Sequence, residues 1–228
     1  MTDTMGERHD LARDALLDAA LIHVAFDGWS DETLQRVIAD SGVEPALVHA
    51  LFPRGAIDLA LAYHYRGDRQ LAEWLPSVQG GMTAKITQAI WHRLELVEGE
   101  KEAVRRGATL FALPIYSAEG ASAIWNTADT IWTGLGDSST DYNWYTKRAT
   151  LSAVYSATVL FWLGDTTPDH SATREFLDRR IEDVMQIEKA KAKFREGPLA
   201  RLFAAGPGRL LDHVRKPAVR PMPGRFER

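Results

Sequence analysis

The chain has 228 residues, of which 45% are hydrophobic, and it carries a formal net charge of −4 with no cysteine. This length suits one domain with a substantial core, or one domain with an appended module. The lack of cysteine excludes disulfides and thiolate metal sites, and the polar N-terminus MTDTMGERHDLARD does not resemble a secretory leader. We therefore expect a protein of the reducing cytoplasm.

The net charge hides a strong asymmetry along the chain. Residues 189–228 contain eleven Lys or Arg and three Asp or Glu, a local charge of +8, whereas residues 1–188 carry −12. A basic segment attached to an acidic body is typical of a tail that meets an anionic surface. The sequence alone leaves lipid headgroups and nucleic acid as the two candidates for that surface.

The first two predicted helices follow from an apolar spacing of three to four residues. Asp27-Gly28 ends the first helix, and Ser30 caps the second, which ends at Ser41-Gly42. The apolar positions that mark the first helix are Leu11, Ala15, Ala19, Ile22 and Phe26. Those of the second helix are Leu34, Val37 and Ile38.

The rest of the chain repeats the helical spacing. Pro45 opens a short third helix that reaches Leu51, and a fourth begins at Ala56. Further helices are predicted at about 82–98, 100–113, 117–134, 141–163 and 171–195. The most apolar run, 151–163, is shorter than the roughly 20 residues that span a bilayer, so it is interpreted as a buried core helix. No convincing alternating strand is present, which predicts an all-α protein.

The first four helices resemble the N-terminal helix-turn-helix domain of TetR-type repressors in length and turn position. A recognition helix needs cations that neutralise phosphates, but residues 43–51 contain no Lys or Arg. Residues 1–66 contain five Arg, no Lys and eleven acids, a net charge of −6. This charge should repel DNA, so a transcriptional regulator that binds DNA and a hydrophobic effector is kept only as the alternative function.

No catalytic site is apparent from the sequence. His92 and Glu95 lie one helical turn apart, but the chain has no Glu-x-x-His motif that would complete a carboxylate-bridged metal site. There is no nucleophile elbow and no Gly-rich phosphate loop. His23, His49 and His64 lie in helices without a patterned acid partner. We therefore predict a protein that is not an enzyme and has no metal and no cofactor.

Residues 107–136 combine large apolar groups with many Ala and Gly, and Pro114 interrupts the helical pattern. The large residues are Leu110, Phe111, Ile115, Tyr116, Trp125 and Trp132. Two interpretations remain open: a core in which small and large residues interdigitate, and a hollow that takes an apolar ligand.

The tail at 196–217 is amphipathic. Its apolar residues are Leu199, Leu202, Phe203, Leu210, Leu211 and Val214, and its basic residues are Arg201, Arg209, Arg215 and Lys216. This combination predicts a helix in the membrane interface, attracted by anionic lipids. The alternative is a helix folded back on the body or on a second subunit. Gly206-Pro207-Gly208 argues against one continuous helix.

The start of the helix at 141–163 places Trp144 and Tyr145 directly before Lys147 and Arg148. One interpretation is a core position, with Arg148 extending past the two rings to solvent. The other is an aromatic and basic surface on which a partner docks.

Four segments are similar to the accessory lipid-binding proteins of coenzyme Q (ubiquinone) biosynthesis, a family whose members share a TetR-like fold. They are GDSSTDYNWYTKRATLSAVYS (136–156), FLDRRIEDV (176–184), FDGWSDETL (26–34) and LFPRGAIDLA (51–60). The resemblance covers about residues 10–190. It implies a TetR-like helical bundle, with a helix-turn-helix-like subdomain at 1–55 and a lipid-binding and dimerisation domain at 56–195. The basic amphipathic tail predicted at 196–228 is where the sequence departs most from the family, whose membrane helix is less broken than 196–217.

The same resemblance implies a function. A family member is a non-enzymatic homodimer that binds a ubiquinone precursor or another isoprenoid lipid, rests peripherally on the inner membrane, and presents the lipid to a diiron hydroxylase of the pathway. The partner-docking surface implied for this chain consists of Asp141, Trp144, Tyr145 and Arg148. Tyr116, Asn126 or Tyr155 could donate a hydrogen bond to the lipid head, so Tyr155 joins the predicted lipid-binding residues.

Overall fold

A computed structural model describes the backbone of residues 5–196 and 214–217, and the side chains of residues 9–186 and 214–217. Within this part of the chain the fold is entirely helical, which confirms the predicted class. The α-helices are α1 (Met5–Asp27), α2 (Asp31–Asp40), α3 (Pro45–Leu51), α4 (Ala56–Trp74), α5 (Met82–Glu95), α6 (Lys101–Phe111), α7 (Ser117–Gly134), α8 (Tyr142–Gly164) and α9 (Ser171–Glu196). Short 3₁₀ turns follow α4 and precede α6 and α9.

The ends of the first helices confirm the predictions made from glycine and serine. Gly28 (φ +69°) and Gly42 (φ +64°) take the left-handed conformation that commonly terminates a helix. The Ser30 hydroxyl accepts a hydrogen bond from the Thr33 amide at 3.2 Å and so caps α2. These local signals fix the α1–α2–α3 corner.

The first core joins the N-terminal helices to the rest of the bundle. Buried side chains of α1, α2 and α3 pack with those of α4, α6 and α8. The Trp29 indole nitrogen donates to the Ala103 carbonyl of α6 at 3.0 Å, and its ring lies 5.2 Å from that of Tyr63. Residues 1–55 therefore share a hydrophobic core with the following segment. The boundary predicted between these two units stays a prediction.

The second core lies between α4, α5, α7, α8 and α9. Its fully buried members are Leu71, Leu75, Ala89, Ile90, Ala128, Ile131 and Leu177, and Leu151, Val154 and Tyr155 from α8 are also buried there. α7 packs along both α8 and α4, and α9 lies against α8 and α5. α7 and α8, which carry Trp125, Trp144 and Tyr145, therefore each pack against at least two other helices.

The buried face of α1 differs from the prediction. Leu11, Ile22 and Phe26 are 65%, 70% and 83% exposed, and Ala15 is also exposed. The buried face consists of Leu16, Leu17, Ala20 and Val24. The apolar residues of α1 are distributed around its whole circumference. Its sequence pattern therefore does not identify the side that meets α2, α4 and α6.

Three further predictions are refined by the structure. α5 ends at Glu95 and α6 at Phe111, earlier than predicted, and residues 112–116 form the corner before α7. α8 is buried on one side only: Trp162 and Leu163 are buried, whereas Leu160 is 64% exposed. None of the described helices combines the length and hydropathy that a bilayer-spanning helix needs.

Candidate docking surface

Three aromatic side chains meet where the start of α8 faces α7. Trp144 and Tyr145 are in an edge-to-face arrangement with ring centres 4.8 Å apart, and Trp125 of α7 lies 5.9 Å from Trp144 and 6.4 Å from Tyr145. All three residues are half-buried, so the group remains partly accessible to solvent. We call Trp125, Trp144 and Tyr145 the aromatic surface.

Arg148 lies beneath the aromatic surface. Its side chain is 2% exposed, and its guanidinium lies 4.1 Å from the Trp144 ring centre. It donates to Asp129 at 2.5 Å, to Asp137 at 3.0 Å and to the Trp144 carbonyl at 3.2 Å. The docking role predicted for Arg148 stays a prediction. The structure places this side chain in the interior, where Asp129 and Asp137 compensate its charge and the Trp144 ring lies against its guanidinium.

Asp137 completes this support from the loop between α7 and α8. Its buried carboxylate accepts from Lys147 and Ser139, both at 2.7–2.8 Å, as well as from Arg148. Burial alone would raise the pKa of Asp137, but the hydrogen bonds from Lys147, Ser139 and Arg148 outweigh it and hold this pKa far below its ordinary value. We call Asp129, Asp137, Lys147 and Arg148 the Arg148 cluster.

Asp141 has a structural role at the beginning of α8. It is the N-cap residue, and its carboxylate accepts from the Asn143 amide at 3.0 Å and from the Asn143 side chain at 2.9 Å. A carboxylate at this position also interacts favourably with the positive end of the helix dipole. Asp141 thus fixes the direction in which Trp144 and Tyr145 leave the first turn.

The predicted lipid-binding residues are spread over several places in the fold. Leu110, Phe111 and Tyr116 are half-buried around the α6–α7 corner and pack against Ile57, Leu61 and Ala123. Ile115, at the same corner, is 72% exposed, and its neighbour Leu113 is 46% exposed. Four of the seven predicted lipid-binding residues therefore lie at this corner.

The other three predicted lipid-binding residues lie elsewhere. Trp125 belongs to the aromatic surface. Trp132 packs against the second core and donates to the Lys147 carbonyl at 3.1 Å. Tyr155 is 5% exposed in the same core, and burial raises the pKa of its hydroxyl. The binding role of all seven residues stays a prediction.

None of the predicted lipid-binding residues lines either of two hollows on the described surface. The first, of about 250 Å³, lies between α5 and α9 and contains Trp74, Trp91, His92 and Arg174. The second, of about 470 Å³, lies at the end of α8 beside Leu160 and Phe161. Both are open grooves rather than interior chambers.

A buried polar cluster at the centre of the bundle was not predicted from the sequence. Asp68 of α4 accepts from Arg93 at 3.1 Å, from Asn126 at 2.8 Å and from Thr127 at 2.9 Å. His64 lies 2.9 Å from the Thr127 hydroxyl and 3.5 Å from Asp68. We call these five residues the Asp68 cluster.

The prediction that His64 has no patterned acid partner is wrong. Asp68 follows it by four residues, which places both on one face of α4, and this spacing was the available sequence signal. Burial lowers the pKa of His64. Gly67 lies close by, and a Cβ there would force the Arg93 guanidinium to shift from its present position. Asn126, a candidate donor to a lipid head, is already hydrogen-bonded to Asp68.

Most of the predicted membrane-binding residues lie outside the described residues. These are Leu199, Leu202, Phe203, Leu210, Leu211, Arg201 and Arg209. Arg215 is described: its side chain is exposed, and its carbonyl accepts from the Tyr145 hydroxyl at 3.2 Å. The Lys216 amide next to it donates to the Thr140 carbonyl at 2.9 Å.

Two further candidate sites are the DNA-reading position at α3 and the metal position at His92 and Glu95. α3, at the position of a recognition helix, exposes Pro45, Ala46, His49 and Ala50 and has no Lys or Arg. His92 stacks on Trp74, with ring centres 4.1 Å apart, and lies 3.5 Å from Glu95. No group of three or more His, Asp or Glu in the described part of the chain is placed to hold a metal ion.

Solved structures share this architecture. A TetR transcriptional regulator from Nitrosomonas europaea superimposes with a TM-score of 0.62 over 75% of this chain and 97% of its own, at 19% identity. A tetR-family transcriptional regulator from Streptomyces coelicolor gives a TM-score of 0.53 over 88% and 96%, also at 19% identity. At this level of identity the likeness establishes the TetR-like fold alone.

Sequence comparison extends the likeness to a family. The COQ9 family model matches residues 117–188. The ubiquinone biosynthesis protein COQ9 of Schizosaccharomyces pombe is 31% identical over 75% of this chain and 69% of its own length. The chain belongs to the COQ9 family. The Drosophila melanogaster and human proteins of the same name, both described as mitochondrial, are 31% and 30% identical over 82% and 79% of this chain. This chain spans about 60% of the length of those two relatives.

The COQ9 match coincides with the candidate site. Residues 117–188 comprise α7, α8 and most of α9, and so include the aromatic surface, the Arg148 cluster and Asp141. The first core and the Asp68 cluster are shared with α4 and other helices before the matched segment. The part of the chain most typical of COQ9 is therefore the part that builds the aromatic surface.

Proposed function

We propose that this COQ9 family member is a non-enzymatic accessory protein of ubiquinone biosynthesis. In this proposal it binds an isoprenoid quinone precursor and presents it to a membrane-associated hydroxylase of the diiron type. The observation that carries the proposal is the aromatic surface, held on a buried Arg148 within the segment that matches the COQ9 family. The names of the relatives support the pathway.

The geometry of the aromatic surface suits docking of a protein. Trp and Tyr are the residue types that most often dominate binding energy at protein interfaces, because they bury a large area at small entropic cost. Trp144 and Tyr145 are fixed by each other, by Trp125 and by Arg148, so little conformational freedom remains to be lost on binding. Docking is therefore assigned to Trp144 and Tyr145, and positioning to Asp141 and Arg148.

The α6–α7 corner is the proposed entry for the lipid. Exposed Leu113 and Ile115 stand beside the half-buried Leu110, Phe111 and Tyr116. Each methylene-sized group of a polyprenyl chain costs about 0.8 kcal/mol when exposed to water, so a carrier with an apolar entry lowers the barrier to leaving the bilayer. Adjustment of the half-buried side chains at this corner would provide the space for the chain.

Membrane association and dimerisation complete the proposal. The +8 charge of residues 189–228 favours peripheral binding to an anionic leaflet, such as that of the inner membrane.

A homodimer would cover the apolar groove beside Leu160 and Phe161 at the end of α8. Leu160→Lys should then shift sedimentation from the dimer to the monomer, and an unchanged profile would remove α8 from the interface.

Docking is tested by affinity measurements with the purified hydroxylase of the same organism. Trp144→Ala and Tyr145→Ala should each weaken binding by a factor of about 30 or more, the loss of at least about 2 kcal/mol typical of interface hot spots. The matched control is Trp91→Ala, because Trp91 is also half-buried and lies 3.7 Å from an arginine guanidinium. Equal losses in the three variants would contradict the proposal.

Lipid binding is tested by extracting the purified protein and identifying the lipids by mass spectrometry. A prenylated ring or another isoprenoid should be recovered from the wild type. Phe111→Asp should reduce the recovery, whereas Phe176→Asp, which alters an aromatic contact on α9, should not. The absence of any isoprenoid or phospholipid from the wild-type extract would count against this half of the proposal.

A further inference from the structure

The aromatic surface has a neighbour from the distant C-terminal part of the same chain. Residues 214–217 lie along the first turn of α8, more than 65 positions away in sequence. The Lys216 amide donates to the Thr140 carbonyl at 2.9 Å, and the Tyr145 hydroxyl donates to the Arg215 carbonyl at 3.2 Å. The two positions, Thr140 and Tyr145, flank Asp141 and Trp144 in the sequence, and Tyr145 belongs to the surface to which docking is assigned.

The way in which this segment is bound leaves its charges free. Both hydrogen bonds use main-chain atoms of Arg215 and Lys216, while their side chains are exposed. The segment therefore holds the surface without using its two cations. Anionic lipid headgroups could attract these cations, together with the others of the basic tail, and two hydrogen bonds are few to set against many ionic contacts.

We infer that residues 214–217 are an internal occupant of the aromatic surface, and that an anionic membrane displaces them and uncovers it. This inference rests on the proposed docking function and adds its regulation. Away from the membrane the segment competes with the hydroxylase, so the observed affinity falls with the fraction of molecules in which the surface is free. At the membrane the tail is drawn to the lipid, and docking is strengthened where the substrate resides.

Membrane binding and hydroxylase binding are coupled in both directions in this scheme. If the membrane favours hydroxylase binding by displacing the segment, then the bound hydroxylase must favour membrane binding by the same factor. The hydroxylase need not contact the tail for this effect. The coupling therefore belongs to the protein itself and can be measured in part without the partner.

The first measurement is hydrogen exchange of the Lys216 amide in the full-length protein by NMR. We expect this amide to exchange at least about fivefold more slowly than in Tyr145→Phe, which retains the ring but lacks the hydroxyl that donates to Arg215. Vesicles of phosphatidylcholine with 30% phosphatidylglycerol should abolish the protection. Pure phosphatidylcholine vesicles and free inorganic phosphate should leave it intact. An unprotected Lys216 amide, or protection that anionic vesicles do not change, would overturn the inference.

The second measurement separates this inference from the docking proposal. Lys216→Pro removes the amide donor, and Lys216→Ala removes the same cation but retains the donor. Without vesicles, Lys216→Pro should bind the hydroxylase about threefold or more tightly than Lys216→Ala. Equal affinities of the two variants would overturn the competition. If neither the variants nor the wild type binds, yet the Lys216 amide shows the expected protection and vesicle response, the docking proposal fails and the internal occupant stands.

Discussion

Two buried arginines organise this molecule in different ways. Arg93 is paired with Asp68 at the centre of the bundle, where both side chains are 4% exposed. Arg148 is also buried, but one of its partners, Asp129, is 43% exposed, and a half-buried indole lies on its guanidinium. The first arginine connects helices in the interior, whereas the second connects the interior to an accessible surface.

The difference shows how buried ion pairs can hold an aromatic surface at the edge of a helical bundle. An interior ion pair such as Asp68–Arg93 is weak support for stability, because desolvation offsets its attraction, yet it fixes which residues of α4, α5 and α7 face each other. The Arg148 cluster also pairs a buried arginine with carboxylates, but it lies nearer the surface. Its guanidinium contacts the Trp144 ring, so the indole packs against a group that is held by the helices.

The largest effect is expected from Arg93→Met. This change leaves the Asp68 carboxylate buried without its cation, which typically costs about 3–5 kcal/mol in free energy of unfolding. Urea unfolding followed by circular dichroism measures the loss. Asp68→Asn added to Arg93→Met should recover part of it, because the unpaired charge is then removed. A loss below about 1 kcal/mol for the single variant would show that the cluster is hydrated.

Arg148→Met should destabilise the fold less, by about 2 kcal/mol, because Asp137 retains Lys147 and Ser139, and Asp129 is partly hydrated. The same variant should weaken hydroxylase binding as strongly as Trp144→Ala. Arg148→Lys keeps the charge without the planar guanidinium and should give intermediate binding. If Arg148→Met binds normally, the indole is not positioned by this contact.

The two clusters should lose stability in different pH windows. Burial lowers the pKa of His64 in the folded protein. Below about pH 6.5 the unfolded chain therefore binds a proton at His64 that the folded protein does not bind. The free energy of unfolding falls as the pH drops through this value. The pKa of Asp137 is also lowered, so its contribution is present above its ordinary pKa of about 3.8 and is lost below it.

Urea titrations between pH 8 and pH 2 measure these windows. One proton contributes at most about 1.4 kcal/mol per pH unit. His64→Gln should flatten the slope between pH 6.5 and 5. Asp137→Asn should reduce the slope below pH 4 only in part, since hydrogen bonds from Thr173 and Thr167 also lower the pKa of the buried Asp165. Unchanged slopes in both variants would contradict these assignments.

The smallest effect is expected at Asp141. Asp141→Ala removes the N-cap of α8 and should cost about 1 kcal/mol in free energy of unfolding, whereas Asp141→Asn retains the capping oxygen and should cost a few tenths. Hydroxylase affinity should follow the same order, because Asp141 acts through the direction of the first turn. If Asp141→Asn abolishes binding at wild-type stability, the carboxylate itself contacts the partner.

The sequence predicts the helices well, because their ends depend on local chemistry. Ser30, Gly28 and Gly42 act within a few residues of their own positions, so the boundaries of α1 and α2 are readable directly. The apolar face of α1 is not readable in this way. Apolar residues occur all around this helix, and only the packing of α2, α4 and α6 decides which of them are covered.

Of the candidate site, only the residues at the start of α8 could be predicted from the sequence. Family resemblance indicates Asp141, Trp144, Tyr145 and Arg148, but the burial of Arg148 depends on Asp129 and Asp137, which lie 19 and 11 positions earlier. Such pairs form only after α7 and α8 have packed together.

The Asp68 cluster shows the same limit. Asp68 lies only four residues after His64, so that pair can be predicted from the local sequence. Arg93 and Asn126 lie 25 and 58 positions away from Asp68, so their contacts depend on the packing of other helices.

The most direct test of presentation is hydroxylase turnover of a prenylated substrate embedded in anionic vesicles. Addition of the wild-type protein should raise the rate at least about tenfold, Trp91→Ala should do the same, and Trp144→Ala should not. The protein without the hydroxylase should give no product. A rate that the wild type does not change, or that Trp144→Ala raises equally, would contradict the account.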